Sequence, residues 1–252
     1  MVLGVEQVSV RFRKARGGGA PEQAFGSLAR GGDNDGVSTT RKGRAGGTGG
    51  PAGTLTAGGP ARSQRRARML ELAGELFAQK GYRATTVREI ADAAGILSGS
   101  LYHHFDSKES IGDEILSNFI NEVLADYRGA VASAAGPRAA IEQIVRSTSL
   151  TLARHRAALA MLQNDWSYFA AQPRFAYLPK ALREIERTWV TQLEAGKESG
   201  LFRADLDTKL TYRLLRDVLW IPEQWRRTRG YSTDQVVDAF LRILFEGIAN
   251  RA

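Results

Sequence analysis

Cysteine is absent from this chain of 252 residues, which removes disulfides, cysteine-ligated zinc and thiol nucleophiles together. Histidine is nearly absent as well. The three are His103, His104 and His155, and no carboxylate–histidine constellation surrounds His155 in the sequence. No glycine-rich phosphate loop stands between a strand and a helix, so neither a catalytic nor a cofactor site is signalled, and an enzyme is not the expectation. No apolar run approaches the roughly 20 residues that a membrane span needs. Charges interrupt the N-terminus from Glu6 onward, where a signal peptide would keep its apolar stretch. A soluble cytoplasmic protein without a metal, cofactor or membrane partner is therefore expected.

What is present points to a polyanion. The net charge is +8 with a pI near 10, and 43% of the residues are hydrophobic, enough for a real core in one or two domains. The charge is uneven. Residues 1–60 hold eight cations (Arg11, Arg13, Lys14, Arg16, Arg30, Arg41, Lys42, Arg44) against Glu6, Glu22, Asp33 and Asp35, so 8 − 4 = +4 lies there. From Gly17 to Pro60 glycine dominates, and large apolar residues are too few to offset the entropy of ordering. Residues 1–60 read as a disordered, Gly-rich basic tail, with a DNA-touching arm as the functional alternative.

The chain is organised around Thr86 to Lys108, T-V-R-E-I-A-D-A-A-G-I-L-S-G-S-L-Y-H-H-F-D-S-K. Thr86 and Glu89 have capping-box spacing. Val87, Ile90 and Ala91 recur at helical spacing, and Gly95 can take the left-handed conformation that turns the chain. Ser98 can cap the next helix, with Leu101 and Phe105 four apart on its inner face. Ser98, Ser100, Tyr102 and His103 then point outward, where short polar groups suit base edges and phosphates. This is a helix-turn-helix pattern. A merely structural helical pair is the alternative, but a solvated helix would usually carry Glu and Lys on that face.

Other DNA-facing candidates flank the motif. A helix starting near Ala61 has the stripe Met69, Leu72, Ala73, Leu76 and Phe77. Arg62, Arg65, Arg66 and Arg68 crowd its start, where cations oppose the helix dipole and suggest an external anion. Thr85 and Thr86 open the second helix with free N–H groups and hydroxyls for a phosphate. Arg88 lies on that helix's outer side, and Lys108 is placed to clamp a phosphate, which positions without specifying sequence. His104 reads as packed against the next helix.

These residues resemble the TetR family of transcriptional regulators, whose pattern A-A-G-[hydrophobic]-x-x-[GS]-[ST]-L-Y-x-H-F is followed by a Lys. This chain has Ala93-Ala94-Gly95-Ile96, Gly99-Ser100-Leu101-Tyr102-His103-His104-Phe105 and Ser107-Lys108. The resemblance covers about residues 61–252. It implies an all-α fold, with a three-helix DNA-binding domain at 61–107 and an effector-binding and dimerisation domain at 108–252. It also gives Tyr102 and His103 phosphate contacts, brings Arg62 and Arg66 near the DNA backbone, and implies a homodimer on a double-stranded operator. Because relatives begin close to helix one, a downstream start is a further reading of residues 1–60.

Beyond the motif, a fourth helix from about Lys108 to Ala134 carries Ile111, Ile115, Phe119, Val123 and Tyr127. Five more are expected at roughly 137–153, 157–171, 174–199, 207–228 and 233–250. On the last, Val237, Leu241, Leu244 and Ile248 form one stripe, with Val236, Phe240 and Phe245 beside it. With Leu214, Val218, Leu219 and Ile221, this arc is wider than one chain's core needs. A face buried by a second subunit is expected, and the resemblance makes it a four-helix bundle through residues about 207–250. Two recognition helices about one helical turn apart then imply a near-palindromic operator.

A small-molecule site in the second part has candidates in Arg213, Arg216, Trp220, Trp225, Trp166, Tyr168, Phe169, Arg174, Phe175, Tyr177 and Trp189. Arg216 and Trp220 lie four apart on one helix face. A buried Arg needs a partner, either an anionic ligand group or Asp165. The segments A-Q-P-R-F-A-Y, G-L-F-R-A-D-L-D, Y-R-L-L-R-D-V-L-W and Q-W-R-R-T-R-G are similar to the KstR-type repressors of actinobacteria, second type. That resemblance implies control of cholesterol ring degradation and an effector that is a CoA thioester of a bicyclic steroid remnant. It also places Arg216 and Trp220 in the effector site; Trp166, Phe169, Tyr177 and Arg213 are the further candidates that the sequence itself offers. Another acyl-CoA or hydrophobic acid, with fatty-acid or efflux genes as targets, stays open, as does a ligand-independent architectural DNA binder.

Overall fold

A computed structural model describes residues 60–220 and 230–248. The Gly-rich segment before Pro60, and with it the tail-or-arm reading, lies outside the described residues, as do Ile221 and Trp225. Among the described residues the chain is helical, with no strand. Three helices form the head: α1 (Pro60–Lys80), α2 (Val87–Ala93) and α3 (Ser98–Leu101). The long α4 (Lys108–Ser133) follows, about 39 Å from its 26 residues at roughly 1.5 Å each. Then come α5 (Pro137–Arg154), α6 (Arg156–Ala171), a 3-10 turn at Pro173–Phe175, α7 (Tyr177–Glu198), α8 (Thr208–Leu219) and α9 (Thr233–Ile248).

Local chemistry sets most of these boundaries. Thr86 caps α2 through the capping box, with the Thr86 amide donating to Glu89 Oε2 at 2.8 Å and the Glu89 amide to Thr86 Oγ1 at 3.2 Å. Gly95, at φ +67°, turns the chain into α3 as expected. Ser107 and Ser110 cap α4 reciprocally, Pro137 opens α5 at its first turn, and the Asp207 carboxylate takes the Leu210 amide at 2.9 Å to start α8.

Some expectations need correction. Ser98 is not the cap of α3; Leu97 occupies that position and makes no side-chain cap bond, so Ser98 is the first helical residue. The helix expected from residue 174 begins at Tyr177, because the Pro173 turn precedes it. Described helix α8 stops at Leu219, with Trp220 closing its end. On α4 the buried residues include Gly112, Leu116 and Ile120, while Ile115 is half-buried, because neighbours contact this helix on more than one side.

One hydrophobic cluster runs from Met69 and Phe77 in the head, through Phe119 and Tyr127 of α4, to Leu244 and Ile248 of α9. Head and body therefore share a core. Within it the Trp189 indole N–H donates to the Tyr127 hydroxyl at 3.1 Å, which satisfies the largest buried polar side chain. None of the described helices is long and apolar enough to cross a membrane.

Candidate functional site

The outer end of the head is the first candidate. Ile90, Leu101 and Phe105 are buried and clamp α2 against α3. That leaves Tyr102 and His103 exposed, with Ser98 and Ser100 half-buried beside them. Arg88 is open to solvent on α2, its guanidinium only within 3.9 Å of Asp92, and Arg62 is exposed on α1. A short helix with free hydroxyls, flanked by cations, fits a recognition helix with phosphate-positioning neighbours.

Three sequence candidates are engaged inside the protein instead. Thr85 is 1% exposed, and its hydroxyl donates to the Gly81 carbonyl at 2.9 Å. Lys108 donates through Nζ to the carbonyls of Tyr82 at 3.1 Å and Thr85 at 2.9 Å, with Arg83 at 3.4 Å, and lies 4.7 Å from the centre of the Tyr82 ring. Arg66 pairs with Glu114 of α4 and stacks 4.4 Å over Phe105. Thr86 remains exposed, with its hydroxyl occupied by Glu89. Chain separation hid the partners of Arg66 and Lys108: Glu114 is 48 residues from Arg66, and Tyr82 is 26 from Lys108.

These groups surround the junction of head and body, where Tyr82 is wholly buried between Phe77 at 4.9 Å, Tyr168 at 5.5 Å and Phe169 at 4.9 Å. Burial pushes the Tyr82 phenol far above its ordinary range. A Cβ on Gly112 would lie 2.8 Å from the Tyr82 ring, so only glycine fits that turn of α4. The Tyr82 amide donates to Asp165 Oδ2 at 3.0 Å, and Asp165 has a non-helical φ of −125° inside α6. Sequence periodicity carries no sign of that break.

The effector candidates divide. Phe169 is fully buried in the junction's aromatic cluster, 4.9 Å from Phe175, so it is placed as core. Tyr177 donates to the Asp113 carbonyl at 3.3 Å beside the head end of α4, and burial raises its phenol. Trp166 is half-buried against the core, and Arg213 is exposed on the outer face of α8. Arg216 pairs with its neighbour Asp217 at 2.7 Å, while Asp165 is committed to Tyr82, so the expected Arg216–Asp165 pair is not formed. Trp220 lies half-buried with its ring 6.3 Å from Phe119 of α4, and its carbonyl accepts from Gln163 of α6 at 2.6 Å. Phe119 is also 5.6 Å from the His155 ring, and His155 bonds Glu122 at 2.5 Å. Arg154 and His155 hold the Glu122 carboxyl below its usual range. Phe119, His155 and Gln163 are the residues that sequence reading missed around Trp220; the His–Glu pair spans 33 positions.

Elsewhere, a groove of about 350 Å³ lies between α5 and α9, lined by Arg138, Glu142, Arg146, Asp238 and Phe245 among others, and by none of the effector candidates. Its Arg146 is already paired with Asp238 at 3.0 Å and with Glu142 at 3.1 Å. Among the described residues no group of three or more His, Asp or Glu is arranged to hold a metal ion. The stripe expected to face a second subunit, Val237, Leu241, Leu244, Phe245 and Ile248 with Leu219, is buried by the chain itself, whereas on α8 Leu210, Leu214 and Val218 are 54%, 61% and 48% exposed and Ile243 on α9 is 74% exposed.

A helix-turn-helix head continuous with a helical body is what family comparison also finds. Residues 69–115 match the model of bacterial regulatory proteins of the tetR family, and residues 134–248 match the tetracyclin repressor-like C-terminal domain. The chain belongs to the TetR family of transcriptional regulators. Within it the chain is of the KstR type. It is 45% identical over 190 residues to the HTH-type transcriptional repressor KstR2 of Rhodococcus jostii strain RHA1, covering 75% of this chain and 93% of that one. Against KstR2 of Mycobacterium tuberculosis the identity is 43% over 187 residues, 74% of this chain and 94% of the relative. The solved structure of the ketosteroid transcriptional regulator KstR2 of Mycobacterium tuberculosis superposes with a TM-score of 0.71 at 42% identity, covering 74% of this chain and 96% of that chain. A second solved chain, the probable transcriptional regulatory protein RHA5900, gives a TM-score of 0.68 at 43% identity, covering 74% and 100%. The chain is a DNA-binding, TetR-type transcriptional repressor.

Proposed function

We propose that this repressor works in the cytoplasm as a homodimer on a near-palindromic operator, and that a CoA thioester of a steroid ring remnant releases it. The observation that carries the reading is the 45% identity to a KstR2 repressor across 93% of its length. Residues 61–107 act as the DNA-binding part and 108–252 as the effector and dimer part. Exposed Leu210, Leu214, Val218 and Ile243 supply the dimer face, where apolar side chains of this size gain from a second subunit.

For the effector, Arg216 and Trp220 are the anchors. The Arg216 guanidinium, paired with adjacent Asp217 and 5.8 Å from the centre of the Tyr212 ring, can exchange its carboxylate partner for an anionic group of the ligand. Trp220 touches Phe119 on α4, whose first turn holds Lys108 against the head. A ligand that displaces Trp220 shifts α4 and changes the spacing of the recognition helices. It acts only to the extent that it binds the DNA-incompetent state better, by a coupling of about 1–3 kcal/mol.

The test is fluorescence anisotropy on the DNA upstream of the protein's own gene, with and without a panel of CoA thioesters, beside sedimentation of the free protein. A dimer that binds a palindromic fragment and is released by a bicyclic steroid thioester supports the reading; Arg216→Met should then blunt release and leave DNA affinity intact. If DNA binds and no thioester acts, the effector class is wrong. If no fragment binds specifically, the operator reading falls.

A further inference from the structure

We propose that Leu97 reads the 5-methyl group of a thymine in the major groove, and that Gly99 lets the recognition helix approach closely enough for it to do so. This rests on α3 being the recognition helix.

Leu97 is 81% exposed, the most exposed large apolar side chain among the described residues. Nothing in the fold accounts for a leucine there. It holds the N-cap position of α3 at φ −70° and ψ 145° and makes no side-chain cap bond, where Ser, Thr, Asp or Asn would satisfy an orphan amide. Its neighbour Ile96 already supplies the apolar contact that the turn needs, packed against the core. Leu97 thus gives up a cap and gains no burial.

Gly99 presents a second anomaly, independent of the first. It lies inside α3, its backbone is not in the left-handed region, and a Cβ built on it meets nothing within 4 Å. Alanine would fit and would favour the helix. Glycine or serine stands at this position in the family pattern, so the demand is for a small residue, and its reason lies outside the chain, in a surface that comes close to this part of α3.

That surface is DNA. The leading end of a recognition helix meets base edges, and Leu97 and Gly99 flank the leading turn of α3 on either side of Ser98. Ser100 and exposed Tyr102 and His103 continue the same end of the head. Among the groups displayed in the major groove, the thymine methyl is the apolar one, and it is the partner that apolar side chains take there. A protein partner would need a broader apolar patch than this single leucine set among polar groups.

The experiment uses the full-length protein and an operator enriched from a pool of randomised duplexes. Each thymine of that operator is replaced in turn by deoxyuridine, which removes only the methyl, in both half-sites together. Wild-type protein should lose about fourfold in affinity per half-site at one thymine, the value of one buried methyl, or about 15-fold for the pair. Leu97→Ala should bind the thymine operator more weakly by a similar factor and should not distinguish thymine from deoxyuridine at that position. Gly99→Leu should melt no lower than wild type, since leucine favours the helix and meets open space, and bind DNA on the order of tenfold more weakly, the cost of one disrupted base contact. Leu97→Ala should also melt as wild type does, since the side chain is exposed. If Leu97→Ala keeps the wild-type methyl sensitivity, or binds as tightly as wild type, the proposal is overturned while DNA recognition stands. If the pool yields no enriched sequence, both are overturned.

Discussion

On the inner side of the head, Lys108, Thr85 and the Tyr82 amide are each tied to protein atoms, to backbone carbonyls or to Asp165. On the outer side, the side chains of Ser98, Ser100, Tyr102 and His103 make no hydrogen bond or ion pair within the described residues. The same residue types, a few positions apart, serve opposite purposes. Buried polar groups must find partners within the fold, whereas a surface made for another molecule keeps its groups free. A polar residue near the DNA end is therefore no evidence of DNA contact until its internal partners have been counted.

The largest test of this contrast removes the centre of the inner side. Tyr82→Ala should cost about 3–5 kcal/mol, as a large aromatic leaves a cavity among Phe77, Tyr168 and Phe169. Urea denaturation reads it, and a shift under about 1 kcal/mol would mean that Tyr82 does not join head to body. Next in size is Lys108→Met, which leaves the Tyr82 and Thr85 carbonyls without their ammonium donor. Stability should fall by roughly 2 kcal/mol, and the salt dependence of DNA binding should not change. A drop of about one in the log–log salt slope, with stability intact, would move Lys108 to the outer side.

The smallest effect is one of pH. The Lys80 ammonium first, then the Thr86 amide and hydroxyl, hold the Glu89 carboxyl down at about 2 from an ordinary 4.5. A lowered folded value means that the cap of α2 contributes in full above about 4.5 and is lost as pH falls from there through about 2. The protection of amides in the first turn of α2, taken against the intrinsic exchange rate at each pH, should fall over that window. A protection factor unchanged between pH 5 and pH 2 would show that the cap does not depend on the charged form.

Much of the fold was legible because it is local. Thr86 and Glu89 are three residues apart, Gly95 ends α2 by its own conformation, and Pro137 follows Gly136 at the start of α5. The exposure of Tyr102 and His103 was legible for the same reason, since helical spacing alone puts Leu101 and Phe105 on the inner face. The partners on the inner side were not. Asp165 is 83 positions from Tyr82, and Gln163 is 57 from Trp220, so no spacing rule joins them. Arg216 shows the converse, pairing with the adjacent Asp217 where a distant partner was expected. Leu97 was passed over because an apolar residue beside Ile96 reads as core until its exposure is known.

Gly112 and Tyr82 meet across the boundary between the helix-turn-helix head and α4. A chimera spliced between Ser107 and Lys108 would carry Tyr82 with the donor head and take the α4 residue at position 112 from the recipient. Any side chain there collides with the ring at 2.8 Å. The same splice would part Lys108 from the carbonyls that it gathers and Asp165 from the Tyr82 amide. A head that is to be exchanged therefore travels as a longer cassette than its motif suggests, with the opening turns of α4 and the matching stretch of α6 as part of the cargo.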